Sequence, residues 1–347
     1  MILQLHDLLL PLRHPFTTAN GTLTTQHNLL VSLSDGQYTG YGESPTSRSW
    51  PQLATESARA ALEKCRPVIE SLNFEEPAEF WAQMQPHLGH HPFALCALDQ
   101  AAHDLWGRRH QRPIWQLWGL HDEALPPTNY TLGLDTTERM VAKLHEFCDW
   151  PLYKIKLGSG NDLALMQELR QHTTAVLRVD ANTGWTVEQT LCIAPALKAL
   201  GVEFIEQPLP RDDWAGMQRL HRECALPIVA DEACQTESDI ERCAACFSGV
   251  NIKLAKAGGL TPARRMIQRA CDLGLRVMVG CMCESSIGIS ATAQLLPLID
   301  DADLDGALLL AEDIADGVVI NQGRVTLNRR PGTGARLNAA GMAIITH

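Results

Sequence analysis

Five short strand-like runs recur through the middle of this chain, and each delivers a charged side chain at or near its C-terminal end. They read YKIKLG with Lys154 and Lys156, LRVDAN with Asp180, EFIEQP with Glu206, IVADE with Asp231, and NIKLAKAGG with Lys253. Their spacing is about 25 residues, the length of one strand, one helix and two loops, so the pattern predicts successive βα units of a parallel barrel. Barrel strands point their carboxyl ends at one mouth. Three acids flanked by lysines therefore meet in space although they are far apart in the chain, which predicts an active site with a metal in it.

The residues before this repeat have a different texture. Three antiparallel strands are predicted over 2–12, 27–35 and 38–44, the last two joined at Asp35-Gly36, a dipeptide with strong turn preference. Helical spacing of apolar residues follows over 53–72, 76–85 and 93–107. At Pro126-Pro127 the texture changes to strand–helix alternation, from a run at Tyr130 to Leu134 through VMVG (277–280) to ALLLA (307–311), which counts to eight strands. Two further short runs, 317–320 and 323–327, predict a hairpin outside the barrel. The expected division is a capping α+β domain over 1–122, a barrel over 123–317 and a C-terminal segment over 318–347 that returns to the cap.

Composition narrows the function. A formal net charge of −11 and the absence of a Lys/Arg-rich run argue against nucleic-acid or membrane partners. The 11 cysteines have no framework spacing, and Cys243 and Cys246 form a lone CxxC, so they read as core residues of a protein in a reducing cytoplasm. The N-terminus has no basic leader or small-residue cleavage site, and no apolar run is long enough to span a bilayer. The expected partner is a small molecule, with a homo-oligomer left open.

Asp180, Glu206 and Asp231 come from the third, fourth and fifth barrel strands and are neighbours along one arc of the rim. Hard oxygen ligands without Cys or His favour Mg²⁺. Three such acids on adjacent strands repel one another strongly unless a cation sits between them. Lys154 and Lys156 are two residues apart on one strand and so share its inner face. Mutual repulsion, reinforced by a metal, is expected to lower their pKa toward the range of a general base. Lys253 enters the mouth from the opposite side. A carbon held between Lys156 and Lys253, with its carboxylate on the metal, loses a proton to one lysine and gains one from the other, which inverts a stereocentre.

The series KxK, D-A-N, E-Q-P, A-D-E and N-I-K-L-x-K-x-G-G resembles the enolase superfamily, muconate-lactonising subgroup, over nearly the whole chain. The resemblance implies an α/β fold, a modified TIM barrel of (β/α)7β type with an α+β capping domain. It implies an enediolate mechanism with Mg²⁺ on Asp180, Glu206 and Asp231, Lys156 and Lys253 as the two bases, and Lys154 neutralising the substrate carboxylate. Asn182, Lys256 and Glu284 are implied as supporting residues around these. Asp303 and Asp305, in ADLDG, resemble the DxD motif by which dipeptide epimerases of this subgroup hold a free α-ammonium group, and two carboxylates at a strand end suit a cation. The segment Pro15 to Thr22 resembles the family's first specificity loop, with Asn20 and Gly21 where epimerases for Ala-Glu tend to carry an arginine. Arg48 and Trp50 fall in a second such loop, and Met282 and Cys283 are expected near the substrate's C-terminal residue.

These implications lead to a Mg²⁺-dependent dipeptide epimerase. An N-acylamino acid racemase or o-succinylbenzoate synthase would use the same lysines and metal without needing Asp303 and Asp305. A catalytically silent barrel serving as a binding protein stays open, because a fold alone does not specify a function.

Overall fold

The computed structural model describes residues 1–19 and 21–346, so the expectation for Asn20 lies outside the described residues. The chain opens with three antiparallel strands, β1 (Ile2–Thr18), β2 (Gly21–Ser34) and β3 (Thr39–Ser44), in that order across the sheet. The turn between β2 and β3 is held by Asp35, whose carboxylate accepts from the backbone N–H of Gln37 and of Tyr38. The first two strands run further than the sequence predicts. Their ladder shifts register after Pro11 and resumes at Phe16↔Leu23. This outer part of the hairpin carries polar residues on both faces, so no alternation marked it as strand. It reaches the barrel, where the Leu134 N–H donates to the Thr17 carbonyl at 2.8 Å.

Helices α1 (Thr55–Ser71), α2 (Pro77–Leu88) and α3 (Pro92–Arg109) cover one side of this sheet, and α3 is buried along almost its whole length. Two glycines on β3 allow that closeness. A Cβ at Gly42 would sit 2.0 Å from the Ala97 carbonyl, and one at Gly40 would sit 2.2 Å from that of Ala101. The backbones of sheet and helix therefore touch directly.

Eight parallel strands follow in sequential order: β4 (Tyr130–Leu132), β5 (Leu152–Lys156), β6 (Val176–Asp180), β7 (Val202–Glu206), β8 (Ile228–Ala230), β9 (Gly249–Lys253), β10 (Arg276–Gly280) and β11 (Asp301–Asp303). Closure between β11 and β4 is made by a bridge from Thr128 to Ala302, reinforced by the Thr128 hydroxyl accepting from Leu304 N–H. Helices follow each of the first seven strands, from Thr137–Glu146 to Ser286–Ala293, giving the (β/α)7β arrangement. One expectation fails here. The eighth strand is Asp301–Asp303, and the ALLLA run lies in and after a short 3₁₀ turn, Gly306–Leu309. Apolar composition alone does not separate a buried strand from a buried turn.

Alternation along the strands sorts the side chains. Ile155, Val179, Ile205, Ile252 and Val279 face the helices and form the main core. Inside the barrel Phe204, Val229 and Met278 form a small apolar cluster, and charged residues occupy most of the other inward positions. Arg178 extends across that interior to Glu203 and Asp301, and Arg276 joins the same two acids. The hairpin Val319–Asn321/Arg324–Thr326 lies beyond the barrel. Further on, the Thr333 N–H donates to Asp104 of α3 and the Arg108 guanidinium to the Ala335 carbonyl.

Cap and barrel are also joined through Asp99 of α3, which accepts from the backbone N–H and the hydroxyl of Thr261 at the start of a barrel helix. Replacing Asp99 by Ala leaves those buried donors unpaired. The expected loss is about 2–4 kcal/mol of stability, read as a lower urea midpoint at unchanged m-value.

Candidate active site

Strand register assembles the site. Lys156 pairs across the ladder with Asp180, Asp180 with Glu206, and Lys253 with Gly280, which in turn pairs with Asp303. All five charged residues therefore end their strands at one level. Asp231 follows directly on β8 and is placed by Gln207, a fully buried residue in the left-handed region at φ 34. Its side-chain carbonyl accepts from the N–H of Asp231 at 2.9 Å and of Ala233 at 3.1 Å, extending the ladder past the end of the strand. Asn182 is left-handed too, and its N–H donates to Asp180 Oδ1 at 2.9 Å.

Asp180, Glu206 and Asp231 each offer a carboxylate oxygen within 4.8 Å of the others. Four ammonium groups surround them. Lys154 Nζ lies 3.1 Å from Asp180, 2.8 Å from Glu206 and 2.9 Å from Asp303. Lys156 Nζ lies 2.6 Å from Asp180. On the other side Lys253 Nζ is 2.9 Å from Asp231 Oδ2, and Lys256 Nζ is 2.6 Å from its Oδ1. Glu206 Oε2 is buried and accepts no aligned hydrogen bond even from Lys154, so it has an acceptor lone pair to give. Three convergent carboxylates, one with a buried oxygen that takes no aligned hydrogen bond, fit a hard divalent cation with oxygen preference.

The electrostatics differ from expectation in one respect. Burial pulls the Lys154 ammonium pKa down, but Asp303, Glu206 and Asp180 more than reverse that and hold it well above its ordinary value. A lowered pKa was expected from the neighbouring lysine and a metal, whereas the acids across the barrel outweigh burial. Lys253 is raised as well, chiefly by Asp231 against the effect of burial. Among the acids, burial drives Glu206 up to about 7, whereas for Asp180 and Asp231 the lysines beside them overcome burial and leave them low.

Above the carboxylates lies a cavity, open to solvent and walled on one side by the cap. Lys154, Lys156, Lys253, Asn182, Asp231, Met282, Cys283, Asp303 and Asp305 all line it, as do Arg48 and Trp50. Asp180 and Glu206 lie fully buried at the floor. Lys256 and Glu284 stand behind the wall, Lys256 donating to Asp231 and to the Asn251 carbonyl, Glu284 accepting from Met282 N–H. Strands β5 and β9 are four steps apart in a barrel of eight, so Lys156 and Lys253 face each other across the mouth.

Asp303 and Asp305 share the cavity but not a strand face, because β11 ends at Asp303. Asp303 is paired with Lys154 and accepts from Asn129 Nδ2 at 2.7 Å, and its pKa falls to about 2 as Lys154 and Lys253 overcome burial. Asp305 accepts from the Thr131 N–H and is pushed up to about 7 by burial and by Asp303. Sequence reasoning missed Glu232, which lines the cavity and is pushed up to about 8 by burial and by Asp231 and Asp180. Alternation assigns the residue after an inward Asp231 to the outside, but β8 stops at Ala230 and the rule lapses there. Asn251 was within reach of the sequence: it is two residues before Lys253 on the same face, and its amide donates to Glu206 Oε1 at 2.9 Å.

Residues 4–119 match the mandelate racemase / muconate lactonizing enzyme N-terminal domain, and residues 137–341 the enolase C-terminal domain-like family. An L-Ala-D/L-amino acid epimerase of Maribacter sp. is 48% identical over 340 residues, covering 97% of this chain and 100% of the relative. The substrate-liganded L-Ala-D/L-Glu epimerase of Bacillus subtilis superposes with a TM-score of 0.92 at 27% identity, over 96% of this chain and 98% of that one. A dipeptide epimerase of Enterococcus faecalis complexed with Mg and L-Leu-L-Tyr superposes with a TM-score of 0.89 at 28% identity, over 96% and 98% of the two chains. Fold, strand-end chemistry and similarity along its whole length agree, and the chain belongs to the enolase superfamily, with the two domains of its mandelate racemase and muconate-lactonising branch.

Proposed function

We propose that this protein is a Mg²⁺-dependent dipeptide epimerase that inverts the α-carbon of the C-terminal residue by two-base proton transfer. The observation that carries the proposal is the pair of lysines facing each other across the mouth, above three convergent carboxylates and beside Asp303 and Asp305. Asp180, Glu206 and Asp231 would hold the metal, in keeping with the Mg present in the Enterococcus faecalis enzyme. Bound there, Mg²⁺ supplies positive charge where negative charge gathers on the substrate carboxylate as the α-proton leaves.

The chain's own residues do the rest. Lys154 is kept protonated by three acids and neutralises the substrate carboxylate. Lys156 takes the α-proton from one face as its neutral amine while the Lys253 ammonium returns a proton to the other, so the C–H bond broken and the C–H bond made lie on opposite sides. The reverse reaction exchanges the two roles. Asp303 and Asp305 hold the free α-ammonium, which gives buried Asp305 a positive charge to face. Leu23, Trp50 and Met282 wall the cavity toward the cap and suit an apolar side chain on the C-terminal residue. Arg48 already donates to the Thr22 carbonyl. The scattered cysteines support a cytoplasmic location, and among the described residues no helix is long and apolar enough to cross a membrane.

Chelation with EDTA is expected to abolish epimerisation of L-Ala-L-Leu and added Mg²⁺ to restore it, with Asp180→Asn and Glu206→Gln losing Mg²⁺ binding by calorimetry while keeping their circular dichroism. Full activity in the metal-free protein would remove the metal from the mechanism.

Replacement of either lysine separates the two faces. Lys156→Ala and Lys253→Ala should each lose at least about a hundredfold in epimerisation, the low end for a positioned general base. In D₂O one variant should still wash deuterium into one epimer and the other variant into the opposite epimer. Equal wash-in to both epimers by both variants points to a single base.

The ammonium site separates the epimerase from its acyl-substrate relatives. Capping the amine leaves two desolvated carboxylates against a neutral amide, so the parent should prefer a free dipeptide over its N-acetyl form in kcat/KM by at least about a hundredfold. Asp303→Asn with Asp305→Asn should erase that preference. A parent that prefers the acetylated substrate is an N-acylamino acid racemase.

A further inference from the structure

Glu43 is a fully buried carboxylate on β3, and most of its hydrogen bonds leave the cap. It accepts from the backbone N–H of Ser285 at 3.1 Å, from the Ser285 hydroxyl and from the Gly288 N–H at 3.3 Å. Those donors lie at the start of the barrel helix Ser286–Ala293, where Glu43 from the cap joins Asp313, which accepts from the Ser286 N–H. The remaining bond comes from Asn28 on β2, whose amide donates to Glu43 at 2.7 Å and to the Cys283 carbonyl at 2.9 Å. Gln26, which lines the cavity, donates to Asn28 Oδ1 at 2.7 Å and to the Thr46 carbonyl at 2.9 Å.

The segment Met282–Ser285 is therefore gripped from the cap at two of its four residues. Met282 and Cys283 form cavity wall, while Glu43 and Asn28 do not reach the cavity. Glu284 stands in the same segment and accepts from Met282 N–H, and burial with Glu43 nearby drives it up to about 8. A second buried carboxylate beside Glu43 leaves this stretch little freedom to change its hydrogen bonding without moving the wall.

We propose that Glu43, acting with Asn28, is a positioning residue that sets the Met282–Cys283 wall from within the cap sheet and so governs how the substrate's C-terminal side chain fits. This rests on the epimerase reading above. It makes side-chain selectivity depend on a residue that touches no substrate, whereas the proton transfer depends on strands β5 to β9, which neither Glu43 nor Asn28 contacts through a hydrogen bond.

Two dipeptides test it. L-Ala-Gly has an exchangeable α-carbon and no side chain, whereas L-Ala-L-Leu has both, so deuterium wash-in in D₂O with Mg²⁺ reads proton transfer with and without the wall. Glu43→Gln is expected to raise KM for L-Ala-L-Leu about tenfold, the scale on which small misplacements act, and to leave L-Ala-Gly exchange within about twofold. Asn28→Ser, which keeps Glu43 bonded to Ser285 and Gly288, should shift the same ratio in the same direction and carries the test if Glu43→Gln does not fold. Equal losses on both dipeptides, or an unchanged KM for L-Ala-L-Leu, would overturn the positioning role. A parent enzyme that washes deuterium into neither dipeptide overturns the epimerase reading, and the positioning role with it.

Discussion

Everything at the barrel mouth depends on how Lys154 is neutralised. It is an ammonium with almost no exposure, touching Asp180, Glu206 and Asp303, so it joins the third, fourth and eighth strands of the barrel through one nitrogen. Burying an isolated ion costs several kcal/mol even after relaxation, and that cost is offset only where each partner is itself held in place. Here they are: Asp180 by the Asn182 N–H and Lys156, Glu206 by Asn251, Asp303 by Asn129. Stability and function use the same contacts. A barrel filled with Leu and Ile would be easier to fold, but it would have no inward charge with which to bind a metal or move a proton.

Much of this was legible in the sequence because period and charge coincided. Strand alternation sends Lys154 and Lys156 inward, the βα repeat brings Asp180, Glu206 and Asp231 to adjacent positions, and the structure assembles all of them as the spacing requires. What could not be read lies where the period stops. Glu232 follows a strand that ends at Ala230, the ALLLA run has the composition of a strand and the geometry of a turn, and the outer hairpin from Phe16 to Leu23 carries polar residues on both faces beside a single apolar pair. The pKa direction of Lys154 was misjudged for a different reason. Its nearest neighbour in sequence is a lysine, whereas three of its neighbours in space are acids contributed by other strands.

Beside apolar contacts such as those of Leu8, Leu10 and Leu30 with Ile287, cap and barrel are joined by buried polar groups. Asp99 holds the start of one barrel helix, Glu43 the start of another, and Asp104 ties α3 to the C-terminal segment. Each is a carboxylate receiving backbone N–H groups that have no partner inside their own element. Such bonds demand orientation as well as proximity, which apolar contact does not. The cap therefore meets the barrel in one registered pose, with the wall at Trp50 and the wall at Met282 held at a set separation.

The joint between β11 and β4 has a consequence of its own. Where neighbouring strands share ladders of two or more paired residues, these two share one bridge and the Thr128 hydroxyl. Asp303 and Asp305 sit on one side of that seam, and Asn129 and Thr131, which bind them, sit on the other. The proposed ammonium site thus straddles the weakest line of the barrel, while the metal and both lysines stand on its continuous arc. A change in the contacts across the seam would alter the amine site and leave the strands that carry the two lysines in place.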